Sequence, residues 1–219
     1  MILFRRLVFP LCLLAGALLT AVAGVLHPDL PLDGAAQLAE IARRETWRTV
    51  HWTFLFAFPL VLTGLVGVVA WHVGTAGERA ARAGLIVATF AYGLWVIIVA
   101  FMGGAGWSLA QSFAVSNAGM TATRAVFVFD MVRPFALVAQ REAAFALGIA
   151  TVLFGWGVLE GRVLPRWLGG AGVVSGALGI ALALLFREDT KADQAAFVLP
   201  VLWQLATGVV LLRLSAAND

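Results

Sequence analysis

The sequence predicts an all-helical integral membrane protein, and three observations predict it. Hydrophobic residues make up 62% of the 219-residue chain and charged residues only 12%, where a soluble domain carries about a quarter charged. Six apolar stretches are each long enough to cross a bilayer core, which takes about 20 helical residues. None shows the apolar-polar alternation of barrel strands of about ten residues. The expected architecture is one membrane domain over residues 1–219: a bundle of six transmembrane helices with a short amphipathic surface helix and a cap segment on one side.

The first crossing is placed at 7–26, a run of 20 residues without charge. Arg5 and Arg6 before it and Ala21-Val22-Ala23 near its end imitate a cleavable leader. The run exceeds the 7–15 residues usual for a leader's apolar core, so the helix is expected to stay. Cys12 lies inside it and, as the single cysteine, can form no internal disulfide, so it reads as packing. Gly16, Thr20 and Gly24 form a small-residue ridge of the kind that lets helices approach closely.

Residues 27–49 form the first long connection. His27-Pro28-Asp29, Pro31 and Asp33-Gly34 are turn chemistry. From Ala35 to Arg48 the pattern is that of a surface helix, with Leu38, Ile41 and Ala42 on one side and Glu40, Arg43 and Arg44 on the other. The second and third crossings follow at 50–73 and 83–102. Gly103-Gly104-Ala105-Gly106 is expected to end the third by its conformational cost. The second long connection, 103–134, carries Ser108, Gln111, Ser112, Ser116, Asn117, Thr121 and Thr123. It reads as a cap or a partly re-entrant helix; a crossing by 107–132 would make seven spans. The last three crossings fall at 135–159, 167–186 and 195–212, with a GxxxG pair at Gly172 and Gly176. No internal repeat is visible, and Trp47, Trp52, Trp71, Trp107, Trp167 and Trp203 near predicted helix ends suggest an interfacial belt.

With the N-terminus in the cytoplasm, the cytoplasmic side holds seven basic and three acidic residues, and the opposite side eight and nine. Most of the opposite-side bases lie in the two long connections, where the positive-inside rule has less force, so both termini are placed in the cytoplasm and the connections outside a bacterial-type inner membrane. The net charge of +3 comes from bases scattered at helix ends, with no stripe to meet nucleic acid.

Three groups could carry chemistry. His27 and His51 are expected to share the outer leaflet and could ligate a b-type haem or a metal ion, alone or with nearby carboxylates such as Asp29, Asp33, Glu40 or Glu45; the blander reading is two rings at headgroup level. His72, beside Trp71, reads as interfacial on the other side. Glu45, Arg48 and His51 are spaced by three and form one stripe if the surface helix runs unbroken into the second crossing. Arg124, Asp130, Arg133, Arg141 and Glu142 interrupt an apolar stretch. Asp130 and Arg133 can pair along a helix. Arg141 against Glu45 or Asp130, and Glu142 against Arg48 or His51, would close a polar cluster under the cap; mutual neutralisation is the simpler role of such pairs.

P-loop, HExxH, GxSxG and CxxC motifs are absent, which removes most motif-bearing enzymes, and no serine has a recognisable base beside it in sequence. The leading expectation is a non-enzymatic membrane protein: an accessory or assembly subunit of a larger membrane complex, or a small-ligand-binding bundle with its polar recognition site on the outer side. The alternatives are a haem- or metal-binding electron carrier and a small-solute transporter or channel.

Overall fold

The computed structural model describes residues 7–116, 119–186 and 190–216, the side chain of Asp193 excepted. Arg5, Arg6, Asn117, Arg187, Glu188, Asp189 and Asp219, which entered the charge count or the cap reading, lie outside the described residues. The described chain is helical: α1 (Phe9–Leu26), α2 (Gly34–Arg43), α3 (Trp47–His72), α4 (Glu78–Phe101), a π-helical turn (Met102–Gly106), α5 (Trp107–Val115), α6 (Met120–Gly161), α7 (Arg166–Leu185) and α8 (Lys191–Ala216). Among the described residues, six helices are long and apolar enough to span a membrane, α4 and α5 counting as one through the π turn.

Local chemistry sets most boundaries. Pro10 lies in the first turn of α1, where its missing N–H costs nothing. Pro28 disfavours helix at the residue before it, and His27 is extended. Asp33 caps α2, its carboxylate accepting from the Ala36 N–H at 2.8 Å, and α2 ends at Arg44, whose backbone is extended. At the other end of the bundle α6 stops at Arg162, a non-glycine residue in the left-handed region (φ 55°), whose N–H bonds the Val158 carbonyl.

The largest departure from expectation is the cap. Gly103 to Gly106 do not end the helix; they widen it into a π turn that continues as α5. The reason is tertiary. A Cβ on Gly103 would stand 2.8 Å from the Cβ of His51, so a bare backbone is needed there, and the Trp47 indole N–H donates to the Met102 carbonyl at 2.9 Å. A π turn offsets the ladder and frees such a carbonyl. After the connection at 116–119 the chain returns as α6, a helix of 42 residues that begins 15 positions before the expected crossing at Phe135. The cap is therefore α5 and the first turns of α6, with α2 packed on both. Leu38, Ile41, Trp47, Ala110, Ala125 and Phe129 form its own small core.

Below the cap, α1 packs on α3 and α8, α3 on α4, α4 on α6, and α6 on α8. Five helices thus close a ring, and α7 lies outside it against α6 and α8. Two seams have almost no side chain between the backbones. A Cβ on Gly16 would stand 2.6 Å from the Val61 nitrogen, and one on Gly155 2.6 Å from the Val173 nitrogen. The expected ridge at Gly16 and the GxxxG pair at Gly172 and Gly176 are both at such contacts; Gly24 is not, with nothing within 4 Å of its position. Phe58, Tyr92, Leu147, Phe154 and Trp203 fill the main core. Trp52 and Trp167 are exposed as a belt requires, but Trp47 and Trp203 are buried in the protein, each donating its indole N–H to a carbonyl.

Candidate functional site

The ring of helices is not filled at the capped end. It holds a cavity of about 880 Å³, within the 300–1,000 Å³ typical of small-molecule sites. Its apolar wall includes Gly24, Phe54, Trp95, Val99, Phe197 and Val201, and its polar groups include His27, Gln37, His51, Arg133, Gln140 and Gln194. Asp29 and Lys191 also line it and meet there, the ammonium 2.6 and 2.8 Å from the two carboxylate oxygens. Hydrogen bonds from Lys191, and then from Gln194, hold the Asp29 carboxyl below its usual range.

The two histidines come together as the sequence suggested. Their ring centres are 5.3 Å apart, and Trp47 completes a triangle at 5.2 Å from His27 and 4.2 Å from His51. The elements that place them are the extended residue ending α1 and the first turn of α3. His27 Nδ1 lies 2.9 Å from the Pro28 carbonyl and His51 Nδ1 2.8 Å from the Trp47 carbonyl. A carbonyl can only accept, so each Nδ1 carries the proton and each neutral ring keeps its lone pair on Nε2. Neither Nε2 has a hydrogen-bond partner among the described residues and neither is among the sealed polar atoms, and both rings line the cavity. Burial pushes the pKa of His27 below its ordinary value, against the opposing pull of the Pro28 carbonyl and the Asp29 carboxylate.

The expected stripe of Glu45, Arg48 and His51 does not form. The chain breaks at residues 44–46 between α2 and α3, which rotates the two helices independently; Glu45 and Arg48 are exposed while His51 is buried. Asp130 and Arg133 do pair, at 3.9 Å. Arg133 also donates to the Leu32 carbonyl, and the Asp130 carboxylate abuts Gly34 at the N-terminus of α2, where the helix dipole favours an anion. Arg141 donates to the Ala183 carbonyl at 2.8 Å and the Phe186 carbonyl at 2.9 Å, satisfying the C-terminal end of α7. Glu142 is exposed. Of the charged residues proposed for a polar cluster, Arg133 alone lines the cavity. His72, the last residue of α3, is buried within the protein because α6 covers it: a Cβ on Gly161 would stand 2.8 Å from its ring.

Gln37, Trp95, Gln140 and Gln194 also line the site, and charge-based reading passes over them. Little in the sequence marks them, since Gln140 stands beside Arg141-Glu142 and Gln194 directly after Asp193, where an amide reads as part of a charged stretch. Among the described residues, no three His, Cys, Asp or Glu side chains gather to hold a metal ion. No protein-family model, curated protein or solved structure matches the chain.

Proposed function

We propose that this chain is a non-enzymatic binding protein of the cytoplasmic membrane that takes an amphiphilic small molecule into the cavity under its cap, with that end facing outward. The observation that carries this reading is the cavity's division of labour. Its apolar wall comes from α1, α3, α4, α6 and α8, and its polar groups are His27 after α1, Gln37 of α2, His51 near the start of α3, Arg133 and Gln140 of α6 and Gln194 near the start of α8. Such a space fits a molecule with an apolar body and a polar head better than it fits water or a small hydrophilic solute. The outward direction rests on the distribution of charge between the loops.

The test uses Gly24, whose missing side chain leaves open space in the cavity wall. The protein is purified from its native membrane in mild detergent, extracted with solvent, and the extract compared by mass spectrometry with that of Gly24→Leu. An amphiphile present in stoichiometric amount in the first and strongly depleted in the second is expected. Equal extracts from two equally folded preparations would sink the reading.

A second observation favours an accessory subunit. At 1.5 Å per residue the 42 residues of α6 extend about 63 Å, roughly twice the hydrocarbon core, so the cap projects from the membrane at any ordinary tilt. Val115, Met120, Phe127 and Met131 on this cap are exposed, and apolar groups grouped in water mark a protein contact. Co-purification with a larger complex, lost in Phe127→Glu, is the expected result; a solitary protein in gentle detergent would remove this second role.

A further inference from the structure

We propose that His27 and His51 form a binding site for monovalent copper, with the Met102 thioether as a third, soft donor. This goes beyond the amphiphile reading and rests on different atoms, the two Nε2 lone pairs.

Two imidazole rings side by side in the wall of a mostly apolar cavity have no partner for Nε2 among the described residues, and a proton donor or a metal ion can supply one. Both rings already have the arrangement seen in metal-ligating histidines: the distal nitrogen donates to a carbonyl, which fixes the tautomer and leaves Nε2 for the metal. Spacing then selects the geometry. With metal-nitrogen bonds of about 2.05 Å, ring centres stand about 5.2 Å apart at a tetrahedral angle, about 5.5 Å apart at a trigonal one and about 6.4 Å apart when opposed. The observed 5.3 Å falls between the first two. It favours one ion approached from one side over a haem iron clasped between the rings.

The donor set selects the ion. Among the described residues no carboxylate joins the histidines in a group of three, and the cavity carboxylate Asp29 is engaged by Lys191. Desolvation cost scales with the square of the charge, so in a wall of neutral ligands a monovalent ion is penalised about a quarter as much as a divalent one. Met102 lines the same cavity, and its neighbour Gly103 lies against the Cβ of His51. Thioether with imidazole suits Cu(I) rather than the harder divalent ions.

The test is anaerobic titration of the full chain in detergent with Cu(I), in competition with a chromogenic Cu(I) chelator, and in parallel with Zn²⁺ alone. One equivalent of Cu(I) held against the chelator, with Zn²⁺ bound at least a hundredfold more weakly, is expected. His27→Asn and His51→Asn keep an amide N–H for the carbonyl and remove Nε2, so both should lose the copper while eluting from size exclusion as the parent does. His72→Asn, with a buried imidazole away from the cavity, should retain it, and Met102→Leu should weaken it about tenfold. Failure of the parent to hold Cu(I), its retention by either cavity-histidine variant, or zinc binding as tight as copper would overturn the proposal. The solvent-extract comparison for Gly24→Leu contains no metal readout, so either proposal can fail while the other stands.

Discussion

The seam between α6 and α7 and the space between α1 and α8 at the capped end are built from the same residue type to opposite effect. Along the seam, glycines bring backbones into contact: a Cβ on Gly148 would stand 2.9 Å from the Gly176 carbonyl, and one on Gly155 2.6 Å from the Val173 nitrogen. At Gly24, in the other region, a Cβ would meet nothing within 4 Å. A small residue in a membrane helix therefore has two meanings. It permits close packing, where the gain is dispersion and backbone complementarity, or it withholds a side chain from a space that is kept open. Sequence alone gives both the same signature.

The contrast is sharpest under a single substitution made in both places. Gly155→Leu forces a branched side chain into backbone at less than contact distance, and overpacking of that kind costs about 3 kcal/mol or more. The variant is expected to fail to assemble, or to unfold in detergent well below the parent's midpoint. Gly24→Leu is expected to leave that midpoint unchanged. Equal destabilisation at both sites would mean that the cavity is part of the packed core, and the comparison would collapse.

A smaller effect is expected from the polar pair inside the packed region. Tyr92 and Gln204 are both buried, and the Tyr92 hydroxyl donates to the Gln204 side-chain oxygen at 2.9 Å. Tyr92→Phe removes the donor and leaves the acceptor sealed, at a cost of about 1–2 kcal/mol given the modest worth of such bonds in membrane proteins. Gln204→Leu in the same background should recover part of that loss, because the unsatisfied oxygen is then gone. If the double variant is no more stable than the single one, the bond contributes little.

The six long apolar helices were legible because a span of lipid demands about 20 apolar residues in a row, a constraint expressed over that length at a time. His27 and His51 were legible as a pair because a helical hairpin returns the chain to the same end. The continuation of α4 through Gly103 was not, because it depends on Trp47 and His51, some fifty residues away, occupying the space that a side chain at 103 would need. Nor was the fate of Arg141. Its donors satisfy the Ala183 and Phe186 carbonyls, and free carbonyls at a helix end leave no trace in side-chain pattern. The sequence pattern pointed to carboxylates for Arg133 and Arg141; both donate to backbone carbonyls in the structure.

The pH dependence of stability separates the two regions again, in a more modest way. Burial holds the folded pKa of His27 below the ordinary 6.5, so the folded state prefers the neutral ring. The unfolded chain takes up a proton as pH falls through 6.5, and the folded state resists doing so until lower pH. The stabilisation is thus fully present above 6.5 and is eroded as pH falls from there toward the folded value. His27→Gln should flatten the midpoint-versus-pH curve in that interval. Asp29, whose folded pKa is lowered, acts at pH below the ordinary carboxylate range and does not confuse the window.

The smallest effect is expected at the mouth of the cavity. Asp29 and Lys191 join the connection after α1 to the start of α8, and their side chains are 69% and 75% exposed. An exposed ion pair exchanges one set of solvent contacts for another and is screened by salt, so its net worth is slight. Asp29→Asn is expected to leave the unfolding midpoint within experimental error at physiological ionic strength. The same bridge nonetheless spans two elements that line the cavity, so its loss should speed exchange of a bound amphiphile, as read by dilution of an isotopically labelled lipid extract, without altering the amount bound at equilibrium. Should the midpoint instead fall substantially, the open region would depend on a surface latch for its stability, and the division between a packed seam and a self-supporting cavity would have to be redrawn at α8.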